Sequence, residues 1–115
     1  MAIEQGSLFW HDFGPRQDHL HEGRRPVLVV QTDALNRLEG YGNVVVVPLT
    51  TKEKKSPTYA KVEPSRANSL AGTSWAIANQ IFTIDKKRLT ESLGHVSAEE
   101  MYQVKEALKV TLAIK

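Results

Sequence analysis

The sequence predicts an α+β fold that is mainly β: a small barrel followed by one packed C-terminal helix. Three observations carry that prediction. The runs Val27-Leu28-Val29-Val30 and Val44-Val45-Val46-Val47 are short, rich in β-branched residues and without alternation, so they read as strands buried on both faces. Other strand signals recur between turn residues at short, fairly regular spacing, as in a small barrel or sandwich. The period changes near residue 97, where a capping box opens a stripe at helical spacing.

The elements follow in order. Residues 7–13 are aromatic-rich and stop at the turn signal Gly14-Pro15, which predicts a strand. A polar stretch runs over 16–25. Pro26 then starts the strand 26–32, a position where a strand tolerates proline. Residues 43–49 form the second fully buried strand, and 50–57 a lysine-rich loop. Residues 59–63 alternate, as a half-exposed strand does. Residues 73–83, with Trp75, Ile77, Ile81 and Phe82, read as one strand bent near Asn79-Gln80. At Ser97-Ala98-Glu99-Glu100 the serine hydroxyl can cap the helix while the Glu100 side chain reaches back. Met101, Val104, Leu108 and Leu112 then fall on one stripe, flanked by Ala107 and Thr111. Val110 and Ile114 project from the other side, as either a frayed end or a second apolar contact.

The length of 115 residues predicts a single domain, 1–115, large enough to bury a core without staples. There is no cysteine, which excludes disulfides, thiolate metal sites and a Cys nucleophile and suits a reducing cytoplasm. No apolar run approaches the ~20 residues of a membrane span, and no leader pattern opens the chain. A soluble, cytoplasmic protein is expected. The net charge of +2 is small, but it is uneven. Residues 1–40 hold four basic and six acidic side chains, 41–70 five and two, and 71–115 six and five. The excess gathers at Lys52, Lys54, Lys55 and Lys61, either as a solvated loop or as a footprint for a polyanion.

Chemistry has few places to sit. Asp18-His19-Leu20-His21-Glu22 holds two histidines and two acids in five residues. It can serve as a polar turn, as an acid/base pair or, least of all, as part of a metal site, because no HExxH or distant His pair accompanies it. No metal and no cofactor are expected. Gly-rich phosphate loops and the GxSxG elbow are absent from the sequence. Arg25 stands where a polar segment enters a buried strand, and Thr50 where the second valine strand is left. Such an arginine can cap strand carbonyls or grip a phosphate with its planar fork, and such a threonine can add a hydrogen bond.

Read together, these segments resemble one family. Gly6-Ser7-Leu8-Phe9-Trp10-His11-Asp12-Phe13-Gly14-Pro15 is similar to the opening strand of the MazF/PemK/Kid toxins of type II toxin–antitoxin pairs. Arg25-Pro26-Val27-Leu28-Val29-Val30-Gln31 resembles their Arg-Pro strand, and Val47-Pro48-Leu49-Thr50 their Pro-x-Thr strand exit. Asn79-Gln80-Ile81-Phe82-Thr83-Ile84-Asp85-Lys86 resembles their DQ(I)xTID segment. Arg88-Leu89, Leu93-Gly94 and Ser97 to Met101 follow as in the family's tail, so the likeness runs over nearly the whole chain.

The resemblance implies an SH3-like barrel with a C-terminal helix, paired as a homodimer, and a sequence-specific, metal-independent endoribonuclease that cleaves single-stranded RNA, chiefly mRNA. It implies a partner, a MazE-like antitoxin whose acidic, disordered tail blocks the RNA groove. Arg25 and Thr50 match the catalytic arginine and threonine, and Gln80 a glutamine near the RNA face. His19 falls where Kid-like members carry a functional histidine. The sequence departs from the pattern at Leu20-His21, where Glu-Gln is usual, and at Ile77 and Asn79, where Kid-like members have arginine and aspartate. A neutral Asn79 cannot act as a carboxylate base, so His19 is the expected general base and Glu22 the second choice. Lys52, Lys54 and Lys55 are expected to guide the RNA backbone, with Asn79 beside Gln80 and with Trp10, Phe82 and Tyr59 as aromatic candidates. Two other readings stay open: a CcdB-like gyrase poison, disfavoured because no tryptophan follows Trp75, and a non-catalytic SH3-like binding module.

Overall fold

The computed structural model describes residues 2–15 and 23–115. Among the described residues there are seven strands: β1 (Ser7–Asp12), β2 (Arg24–Val29), β3 (Asn43–Thr50), β4 (Tyr59–Val62), β5 (Ser74–Ile77), β6 (Phe82–Asp85) and β7 (Ser92–His95). A four-residue helix α1 (Asp33–Asn36) follows β2, and α2 (Ala98–Leu112) closes the chain. The strands pair antiparallel in the order β4-β5-β3-β2-β1-β7, with β6 also on β3. The sheet curls into a half-barrel, and α2 packs across it.

The valine runs behave as their composition demands. Alternate residues of one strand enter opposite faces, and both faces are apolar here. Leu8, Leu28, Val47, Leu49, Ala60, Val62 and Ala76 join Met101, Val104 and Ala107 of α2 in the larger core. Phe9, Val27, Val29, Val44, Val46 and Leu89 form the second core on the other face. The bent strand expected over 73–83 is β5 and β6, joined by the 3₁₀ turn Ala78–Gln80.

Three boundaries differ from expectation. β2 begins two residues before Pro26 and ends at Val29. It stops because Gln31 turns inward: its amide donates to Asn36 Oδ1 and to the Asn43 carbonyl, both at 3.1 Å, and Asn36 Nδ2 returns a bond to the Gln31 carbonyl at 2.9 Å. That buried polar knot also fixes α1, which has too few residues to announce itself by period. Leu112 leaves the core stripe and is 50% exposed. The buried residues of α2 are Met101, Val104 and Ala107, so the last turn carries Leu112 past the sheet.

One break in the sheet positions the site. β2 and β3 pair through Val29↔Val46, Leu28↔Val47 and Val27↔Pro48. Beyond Pro48, β3 turns to β5 through Leu49↔Ala76 and Thr50↔Trp75, while β2 continues against β1. Pro48 stands in the last shared pair and Pro26 just beyond it. Neither has an N–H, so the ladder loses donors where it forks.

Candidate functional site

The fork places side chains by register. Paired residues on neighbouring strands share a face. Extending Val27↔Pro48 by two residues sets Arg25 opposite Thr50, and the observed pairs carry the row outward: His11↔Arg25 on one side, Thr50↔Trp75 and Lys61↔Trp75 on the other. His11, Arg25, Thr50, Trp75 and Lys61 thus line one face across five strands. At the fork itself lies a cleft of about 200 Å³, lined by Trp10, Arg24, Arg25, Leu49, Thr50 and Ser69 among others.

Arg25 is half-buried, and its Nε is buried with no hydrogen-bond partner among the described residues. An unmet cationic donor in a cleft is costly unless an anion completes it. Thr50 Oγ1 accepts the Lys52 N–H at 3.1 Å, which fixes the hydroxyl and leaves its proton to point at a ligand. The cleft's far wall is held by Asn68, which is fully buried. Its Oδ1 accepts the N–H groups of Ser65 and Leu70, both at 3.0 Å, and its Nδ2 donates to the Glu63 carbonyl at 2.7 Å. Ser69, next in sequence, adopts a positive φ of 54°.

The other sequence candidates fall in distinct places. His19 and Glu22, with Asp18 and His21, lie outside the described residues. Lys52, Lys54 and Lys55 are exposed in the loop after Thr50, and Lys54 Nζ sits 5.9 Å from the Tyr59 ring centre. Asn79 and Gln80 are exposed on the 3₁₀ turn. Trp10 lies on the opposite face from Arg25. It packs against the larger core, and the Arg24 guanidinium covers it at 4.9 Å while pairing with Glu91 at 2.8 Å. It still reaches the cleft from below. Phe82 is half-buried and packs with Phe13 at 5.6 Å and His11 at 5.9 Å. Among the described residues no group of three or more His, Asp or Glu comes together as a metal cage.

Two residues of the row escaped the sequence reading, His11 and Trp75. His11 is buried, with its ring edge-on to Phe13 at 4.6 Å. Desolvation holds its pKa below the ordinary value, the Arg88 charge lowers it further, and Asp12 opposes both. Only the alternation of β1 hinted that His11 shares a face with Phe9 and Phe13; its pairing with Arg25 needed the register.

A curled sheet that forks beside an arginine and a threonine defines a small-barrel protein whose open fork presents a guanidinium and a hydroxyl together, groups that can grip a phosphate. Residues 4–112 match the family described as PemK-like, MazF-like toxin of type II toxin–antitoxin system, and the chain belongs to that family. It is 33% identical over 114 residues to Endoribonuclease EndoA of Bacillus subtilis, covering 99% of this chain and 97% of that protein. A mycobacterial endoribonuclease solved in complex with its cognate antitoxin superposes with a TM-score of 0.82 at 31% identity, covering 99% of this chain and 98% of that one. MazF from Deinococcus radiodurans superposes at 0.76 with 26% identity, covering 98% of both chains.

Proposed function

We propose that the Arg25–Thr50 cleft is the cleavage centre of a metal-independent endoribonuclease that cuts single-stranded RNA, mRNA in the cell, at particular sequences. The chain is the endoribonuclease toxin of a type II toxin–antitoxin pair. The observation that carries the siting is the Arg25 guanidinium, half-buried with an Nε unmet among the described residues, on the same face as a hydroxyl held by the Lys52 N–H.

Cleavage without a metal has three requirements. The ribose 2′-OH must lose its proton and attack the adjacent phosphorus, the charge on the phosphorane oxygens must be stabilised, and the 5′-oxygen must leave with a proton. The products are a 2′,3′-cyclic phosphate and a 5′-OH end. Arg25 meets the second requirement, being planar and always charged. A guanidinium carries N–H donors and no acceptor lone pair, which makes it a poor base. Thr50 orients the same phosphate by hydrogen bond. His19 takes the 2′ proton, a task suited to an imidazole that titrates near neutrality, with Glu22 as the second candidate. Gln80 and Asn79 reach bases from the 3₁₀ turn, and Lys52, Lys54 and Lys55 steer the backbone.

Inhibition of translation and growth follows from cutting mRNA. The partner is an acidic antitoxin, a reading supported by the mycobacterial relative solved with its own. A homodimer completes the RNA groove, since one half-barrel offers only one wall. No helix of the described residues is long and apolar enough to cross a membrane, and the reading places the protein in the cytoplasm. The test is cleavage of a long single-stranded RNA in EDTA. The wild-type protein is expected to cut it to 2′,3′-cyclic phosphate ends, and Arg25→Ala to lose that activity while keeping its fold and oligomeric state. Full cleavage by Arg25→Ala overturns the siting.

A further inference from the structure

We propose that Trp75 is a stacking platform for an RNA base flanking the scissile phosphate, and so a determinant of which sequence is cut. The inference rests on the reading of the Arg25–Thr50 cleft as the cleavage centre. Trp75 pairs directly with Thr50 across β5 and β3, and with Lys61 on its other side. Paired residues have their Cβ atoms about 5 Å apart on the same face. The indole therefore stands one strand away from the hydroxyl that holds the phosphate.

The indole keeps part of its surface open to solvent. Trp75 is half-buried and belongs to neither of the two apolar cores formed by the described residues. Its neighbours on the strand, Ser74 and Ala76, point the other way and are buried. Ile77, on the same face one step along, is 2% exposed and gives the platform a firm flank. Lys61 bounds the far side, with its ammonium 3.6 Å from the Glu63 carboxylate in an exposed pair, a weak contact that a phosphate can displace. Tyr59 follows on this face, with Lys54 above its ring. An aromatic plane between a phosphate grip and a lysine is the arrangement by which proteins hold unstacked single-stranded bases.

The test uses the full-length protein with Trp75→Leu and Trp75→Phe. Leucine keeps apolar bulk but has no π-face, whereas phenylalanine keeps both. A randomised single-stranded RNA pool with mapped 5′ ends gives the cleavage preference. An oligonucleotide bearing the preferred site, with a 2′-deoxy sugar at the scissile position, gives binding without cutting. Trp75→Leu is expected to weaken binding of that oligonucleotide and raise KM by roughly tenfold or more, and to lose preference at one base beside the cut. Trp75→Phe is expected to stay near wild type. In a Trp10→Phe background the oligonucleotide should quench the emission of the remaining tryptophan. Equal KM and unchanged preference in Trp75→Leu overturn the proposal, as does an equal loss in the leucine and phenylalanine variants with lowered melting in both. Arg25→Ala separates the two levels: if it is inactive while Trp75→Leu behaves as wild type, the cleavage centre stands and the platform falls. If Arg25→Ala cuts fully, the centre itself is misplaced.

Discussion

His11 shows what a single side chain costs when it is enclosed. In the unfolded chain its imidazole titrates near 6.5; in the fold, burial beside Phe13 and Phe82 and the nearby Arg88 charge push that value down, against Asp12. Between the lowered value and 6.5 the unfolded chain binds more protons than the folded one, so stability rises with pH through that window. Folding stability is therefore expected to be complete above about pH 6.5 and to fall as pH drops below it, by at most about 1.4 kcal/mol per pH unit. His11→Phe, which suits the aromatic neighbours, should flatten that limb in urea titrations between pH 5 and 8; an unchanged slope would remove His11 as its source. Arg25 and Thr50 stood out in the sequence because each sits where a polar segment meets a valine strand, and the family resemblance supplied the roles expected of them. Their partners His11 and Trp75 did not, because a cross-strand neighbour is fixed by register, and register is set by pairings far apart in the chain.

Local grammar explains the elements that were read correctly. The α2 cap is complete: Ser97 Oγ accepts the Glu100 N–H and Glu100 Oε1 accepts the Ser97 N–H, both at 3.0 Å. The same carboxylate does more than the motif foretells, since its Oε2 accepts the Glu63 N–H at 2.9 Å and ties the helix start to the end of β4. What escaped depends on distant groups, as in the Gln31–Asn36 knot that ends β2. Gly94 is another such element-level dependence. It has φ +121° in β7, and a Cβ there would overlap the Ala67 carbonyl, the group that accepts the His95 N–H at 2.9 Å. Backbone on both sides leaves nothing to yield. Gly94→Ala is expected to lower stability by about 3 kcal/mol or more, read as a reduced urea midpoint, and to disturb the wall that Asn68 holds beside the cleft. A midpoint equal to wild type would show that β7 and the 65–68 turn can separate freely.

Taken whole, the molecule reconciles a small net charge with a polyanionic substrate by segregating its cations. The lysines after Thr50 lie in one loop that leaves the fork, and Lys54 leans over Tyr59 on the same face as Arg25. Replacing Lys52, Lys54 and Lys55 by glutamine is expected to weaken RNA binding across sequences and to reduce the slope of log K against log salt by about 2. An unchanged slope would place the RNA path elsewhere. The barrel-plus-helix class was readable from two valine runs and one cap. The place where the sheet forks was not, because it follows from β3 exchanging β2 for β5 at its end. That exchange separates two kinds of inheritance. The cleft opens where backbone donors are missing, so its place and its distance from Arg25 and Thr50 do not depend on the bulk of the residues around it. Trp75, Asn79 and the lysine loop lie outside the lining of the cleft and can therefore be changed one at a time without moving Arg25 or Thr50. If the proposed cleavage centre holds, changes at those positions are expected to alter which sequence is cut while the cutting groups stay in place.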